Sequence, residues 1–155
     1  MRIRRWWLGA VALTVLATAC TPQRSAPPRT PDRPALLVEV HRSASCSCCK
    51  RYEAYLRANQ VGVRTVIHED IVTMKHALGI SDEMASCHTA LVGRYFVEGH
   101  VPIEAIRRLF ETQPAIDGIS LPGMPPEAPG MGGTTTGPLT IFSITDGTVA
   151  EFARL

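Results

Sequence analysis

This chain has little charge of either sign and almost none in excess. Its 155 residues carry 16 Lys+Arg against 14 Asp+Glu, a net charge of +2. That excludes a polycationic nucleic-acid binder. Charged residues make up only 19% and aromatics only 6%, whereas 45% are hydrophobic, a balance that fits a packed globular core. There is no internal repeat, and no apolar run reaches the roughly 18 residues that mark a membrane-spanning helix. The length suits one domain, or two small ones at most. The feature present in unusual amount is cysteine. Cys46, Cys48, Cys49 and Cys87 lie mid-chain, and Cys20 lies alone near the start.

The basic excess belongs to the N-terminus. Arg2, Arg4 and Arg5 precede the apolar stretch Trp6 to Ala19, which closes on Ala17-Thr18-Ala19. These are the parts of a signal peptide over residues 1–19. Cleavage after Ala19 leaves 136 residues beginning at Cys20. Taking the three arginines from 16 leaves 13 basic against 14 acidic side chains, a net charge of −1. Val15-Leu16-Ala17-Thr18-Ala19-Cys20 resembles a bacterial lipobox, in which the cysteine is lipidated, although Ala17 stands where Leu is usual. Ala17-Thr18-Ala19 also suits the ordinary signal peptidase, so two routes stay open. The first predicts lipidation of Cys20 and a membrane anchor on the periplasmic side of the envelope, with Thr21 in place of Asp pointing to the outer membrane. The second predicts a soluble periplasmic protein. Residues 20–34 hold Pro22, Pro27, Pro28, Pro31 and Pro34 and no apolar periodicity, the composition of an extended tether.

Residues 35–155 read as one α/β domain. A buried-type strand over 35–41 leads through a loop at 43–47 into a helix over 48–59. Cys49, Tyr52, Tyr55 and Leu56 fall near one face of that helix. A second strand covers 63–68, and Asp70 caps a helix over 71–78 that Gly79 ends. A short helical turn follows at 81–84. Residues 89–92 and 95–98 are strands separated only by Gly93-Arg94, hence a hairpin. Pro102 opens a helix over 102–111 with Ile103, Ile106 and Phe110 as its apolar stripe. Residues 113–138 are rich in Pro and Gly and show no clear structure. A segment of that length in a small domain is usually functional or disordered. Asp146-Gly147 marks a second hairpin over 139–153. Strand, helix, strand gives a parallel βαβ unit, and the hairpin then adds antiparallel strands. The order predicts a thioredoxin-like fold with an extra C-terminal hairpin. A ferredoxin-like order fits less well, because it has no second helix before the hairpin.

The thioredoxin-like order would converge the cysteines. Cys46 and Cys49 have the C-x-x-C spacing between the first strand and first helix. The helix N-terminus there favours thiolate, which is both the nucleophile and the metal ligand. Cys48 is anomalous for a redox pair, because a third thiol can scramble the disulfide, whereas a soft-metal site can use all three. The loop before the hairpin faces this motif, and in a thioredoxin-like fold it normally holds proline. Here Cys87-His88-Thr89 stands in that place. The hairpin's second strand returns to the same end, which brings in His100 as a further candidate. Soft sulfur with imidazole selects Cu(I), Zn(II) or iron–sulfur clusters. Mononuclear zinc needs four ligands, while five or more donors suit thiolate-bridged Cu(I). Met124 and Met131 in the Pro/Gly loop are candidate thioether donors, or else plugs at the core edge. The plain alternatives are two structural disulfides, a buried Cys87-His88 pair, and His100 as a helix-start residue. His41, His68 and His76 read as structural or exposed.

Four blocks carry a resemblance: Cys46-Ser47-Cys48-Cys49, Ser86-Cys87-His88-Thr89, Val97-Glu98-Gly99-His100-Val101-Pro102 and Leu121-Pro122-Gly123-Met124-Pro125. Together they resemble domain-of-unknown-function family 411, which includes the CopG-type copper-resistance proteins, over roughly residues 36–132. The resemblance implies a thioredoxin-like fold, export, copper bound through the cysteines as a multinuclear Cu(I) cluster, and a role in copper tolerance with redox cycling of the metal. It establishes no enzymatic activity. Three functions are therefore carried forward. One is an exported copper-binding protein using Cys46, Cys48, Cys49, Cys87 and His88, with other periplasmic copper-handling proteins as partners. Another is a thiol-disulfide oxidoreductase using Cys46 and Cys49. The third is an interaction module held by zinc or disulfides.

Overall fold

The computed structural model describes residues 36–134 and 137–155. The signal peptide expected over 1–19, Cys20 and the tether expected over 20–34 lie outside the described residues, as do Thr135 and Thr136. The elements run β1 (Leu37–Arg42), α1 (Ser47–Ala58), β2 (Gly62–Ile67), α2 (Ile71–Ala77), a 3-10 turn (Asp82–Met84), β3 (His88–Val92), β4 (Tyr95–Glu98), α3 (Ile103–Thr112), β5 (Gly118–Ser120), β6 (Thr140–Thr145) and β7 (Thr148–Arg154). They build a mixed α/β domain around one seven-stranded sheet in the order β2-β1-β3-β4-β5-β6-β7. The α/β class, the parallel first pair and both hairpins agree with the sequence reading.

The parallel pairs β1–β2 and β4–β5 are the ones joined through helices, α1 and α3. A parallel connection needs such a crossover, while the antiparallel hairpins close through tight turns. Gly93 opens the β3–β4 turn at φ 59°, the type II′ pattern, and Asp146 and Gly147 take φ 48° and 75°, as a type I′ turn requires. Asp70 caps α2 by accepting the N–H groups of Val72 and Thr73 at 3.0 and 3.2 Å.

Side chains alternate across the sheet and sort into two cores. Val38, Val40, Ala90, Val92, Tyr95, Val97 and Ile119 pack with Tyr52 and Leu56 of α1 and Ile103, Ile106 and Leu109 of α3. Leu109 is buried along with Ile103 and Ile106 of the expected α3 stripe, whereas Phe110 is only partly buried. On the other face Phe96 and Ile144 pack with Ile80, which follows α2. An ion pair of Arg42 Nε with Glu53 Oε1 at 2.7 Å, buried on both sides, ties α1 to the end of β1.

One expectation needs correction. The segment 113–138 is not without structure, because β5 lies in it and pairs with β4 and β6. A three-residue strand is too short to show a periodicity. Its glycine reads as loop, yet a Cβ on Gly118 would collide with Phe96. Glycine stands there because β5 lies close against that ring.

Candidate metal centre

Three chain segments meet at the end of the sheet where β1 and β4 finish and β3 begins. Arg42 is the register partner of His88, and Thr89 that of Glu98. The loop after β1 delivers Cys46, Cys48 and Cys49 at the start of α1. Cys87 and His88 stand at the start of β3, and His100 comes two residues after β4. Cys46 is itself the N-cap, its Sγ accepting the Cys49 N–H at 3.3 Å. The motif thus sits on the positive end of the helix dipole.

The sulfurs are in mutual contact. Cys46 and Cys49 form a disulfide, and Cys48 and Cys87 are free thiols. Cys48 Sγ lies 3.5 Å from Cys46 Sγ and 3.6 Å from Cys87 Sγ, while Cys49 Sγ lies 3.5 Å from Cys87 Sγ. Cys87 is shared with the imidazoles: its Sγ is 3.4 Å from His88 Nδ1 and 3.1 Å from His100 Nε2. Two groups suited to a metal result, Cys46–Cys48–Cys49–Cys87 and Cys87–His88–His100, with the donor atoms of each within 4.8 Å of one another.

The surroundings hold the two imidazoles in ligating form. His100 Nδ1 donates to the Pro129 carbonyl at 2.6 Å, which leaves the lone pair of Nε2 facing Cys87. Metal-bound histidines are typically oriented by such a bond on the far nitrogen. Burial first, then the nearby His100, Lys75 and Arg42, hold the His88 imidazole well below its ordinary pKa, so it is neutral. Burial also lowers His100. Burial, then the Cys48 thiol, pushes the Cys87 thiol up to about 12. His88 Nε2 is buried with no hydrogen-bond partner among the described residues. That ring is therefore held by packing against Tyr52, with centroids 4.6 Å apart, while Nδ1 faces the sulfur. The donor set, four sulfurs and two neutral imidazoles, fits a soft metal ion once the Cys46–Cys49 disulfide is reduced.

All six Cys and His candidates come together. The methionines separate: Met131 packs against the main core, and Met124 is 56% exposed. Met124 follows Gly123, whose N–H is bound by the Ala85 carbonyl at 3.0 Å and whose own carbonyl accepts the Ser86 hydroxyl. Of the set-aside histidines, His41 and His68 pair with each other, Nδ1 to Nε2 at 2.7 Å, and His76 meets Asp82 at 2.9 Å. Sequence reasoning missed Tyr52, whose hydroxyl donates to Val101 O at 2.7 Å and whose ring touches both imidazoles. It also missed Arg51, which donates to Gly130 O at 2.6 Å and pins the far end of the Pro/Gly loop.

The family model described as "Protein of unknown function, DUF411" matches residues 84–131, from just before Cys87 to Met131. A solved structure described as "Copper resistance protein copG- Form 2" is 36% identical, covering 78% of this chain and 98% of that one, at a TM-score of 0.73. Its Form 1 counterpart is 34% identical over the same shares, at 0.70. The chain belongs to the DUF411 family of CopG-like copper-resistance proteins. No curated protein matches it. In this CopG-like chain Cys87, His88 and His100 lie inside the segment that matches the family. The C-x-C-C motif reaches them from 38 to 41 residues upstream of Cys87.

Proposed function

We propose that this CopG-like chain is an exported copper-binding protein of copper homeostasis or resistance, holding Cu(I) as a multinuclear cluster on Cys46, Cys48, Cys49, Cys87, His88 and His100. The observation that carries this reading is the shared sulfur: Cys87 belongs to both donor groups. A single zinc ion needs four ligands in a closed tetrahedron. Six clustered donors with a common sulfur suit thiolate-bridged Cu(I) better, and zinc is the second choice. The copper-resistance names of the two structural relatives point the same way. In this reading the domain is thioredoxin-like, residues 1–19 direct export, and Cys20 carries a lipid that holds the protein at the periplasmic face of the outer membrane. Exposed Met124 is a thioether for passing copper to other periplasmic copper-handling proteins.

Anaerobic reconstitution of the reduced protein with Cu(I) and Zn(II) in competition, counting metals and free thiols, tests this. More than one Cu(I) per chain, with zinc excluded and fewer copper ions in Cys48→Ser, is expected. Zinc retention, or copper content unchanged in Cys48→Ser, would overturn the cluster. The Cys87 thiol, at about 12, must lose its proton to bind metal, so copper affinity rises with pH.

The disulfide favours a second reading, a thiol-disulfide oxidoreductase. With Cys46 and Cys49 bonded, the Cys87 thiol lies 3.5 Å from Cys49 Sγ, within reach of exchange. Turnover of a protein disulfide by metal-free protein, lost in Cys46→Ser, would favour this reading.

A further inference from the structure

A charged pair lies buried on the sheet face opposite the cysteines. Lys75 of α2 and Glu98 of β4 form an ion pair with side chains 4% and 0% exposed. Removing two charges from water is costly, and a well-packed apolar pair often serves folding as well or better. The carboxylate, however, has further partners that an apolar side chain could not serve. Glu98 Oε1 accepts the Ser86 N–H at 2.6 Å. Oε2 accepts the Thr89 hydroxyl at 2.5 Å, and Lys75 Nζ donates to that same hydroxyl at 3.1 Å. Ser86 and Thr89 bracket Cys87 and His88. Ser86 also lies between the 3-10 turn and β3, where its backbone has no strand to pair with. Glu98 itself stands two residues before His100. One carboxylate therefore ties both flanks of the Cys87-His88 pair to the strand that leads into His100.

We propose that Glu98, with Lys75 as its counter-charge, is a positioning residue for the metal centre. It sets the Ser86–Thr89 segment so that Cys87 and His88 face His100 before any metal arrives. This rests on the copper-binding reading above. Glu98 touches no metal donor atom and works through the Ser86 N–H and the Thr89 hydroxyl.

Two double variants isolate the acceptor from the charge. Lys75→Met with Glu98→Gln removes both charges and keeps an oxygen for the Ser86 N–H. Lys75→Met with Glu98→Leu removes both charges and the oxygen. The Gln variant is expected to keep wild-type Cu(I) affinity. The Leu variant should lose about tenfold or more, the scale on which outer partners of metal ligands act. In the reduced, metal-free state the Ser86 amide should exchange slowly with solvent in wild type and the Gln variant, and fast in the Leu variant. Wild-type affinity in the Leu variant, or equal losses in both variants, would overturn the assignment. If the Leu variant does not fold, the Ser86 amide of metal-free wild type decides: protection supports the proposal, and free exchange refutes it. A wild-type protein that takes up no Cu(I) sinks the proposed function, while the amide measurement still reports on the loop.

Discussion

His41 is buried on β1, with Nδ1 against His68 and Nε2 2.7 Å from a Glu39 oxygen. Burial, and then the His68 charge, lower its pKa from the ordinary 6.5. The unfolded chain takes up that proton near 6.5, whereas the folded chain resists it. Below that value the unfolded state binds more protons, so stability present above 6.5 is lost as the pH falls through it towards the folded value. The urea midpoint should fall between about pH 7.5 and about pH 5.5, and fall less in His41→Gln. An equal fall in the variant would remove His41 from the cause. At this scale the sequence was readable wherever a residue's chemistry is rare. Cys87-His88 before a hairpin and three cysteines at the start of a helix are hard to explain as packing, and topology alone brought in His100. Tyr52, Lys75 and Glu98 were not readable in the same way. A tyrosine in an apolar stripe, a helix lysine and a strand glutamate look the same whether they face water or support a site, and only the packing decides.

The segment 121–131 behaves as a clasp with two fixed ends. One end is Gly123, bonded to Ala85 and Ser86 beside Cys87, and the other is Pro129-Gly130, bonded to His100 and Arg51. Gly130 has φ 81°, and a Cβ there would lie 2.8 Å from Tyr52 N and 3.1 Å from the Arg51 carbonyl carbon, both backbone atoms of α1. Gly130→Ala therefore adds a clash to about 1–2 kcal/mol of left-handed strain. It should lower the melting temperature and weaken metal retention, because the Pro129 carbonyl would move from His100. Gly132, at φ 86°, is the matched control, because a Cβ there would meet nothing within 4 Å. Gly132→Ala should cost only the strain. Equal melting temperatures and metal contents in the two variants would show that the clasp does not bear on the site. Turn chemistry made both hairpins legible, and the cap at Asp70 marked α2. The clasp and β5 were not legible, because Pro/Gly composition marks turns without saying what they close on.

At the level of the whole molecule, the donors come from segments far apart in sequence: 46–49, 87–88 and 100. A ligand held across them binds the folded chain more tightly than the unfolded one, which keeps only the local thiols of 46–49, so it stabilises the fold by mass action. Free ligand at one hundred times its dissociation constant adds at most about 2.7 kcal/mol. For a domain of this size that corresponds to a melting-temperature rise of roughly 10 °C. Scanning calorimetry of reduced protein with and without Cu(I), under anaerobic conditions, measures this rise. Cys87→Ser should lose most of it, because that sulfur is the one common to the two donor groups. The oxidised protein should lose most of it too, since the Cys46–Cys49 disulfide withholds two donors. If Cys87→Ser and the oxidised protein both keep the full rise, the copper is bound elsewhere, and the convergence at this end of the sheet has another purpose.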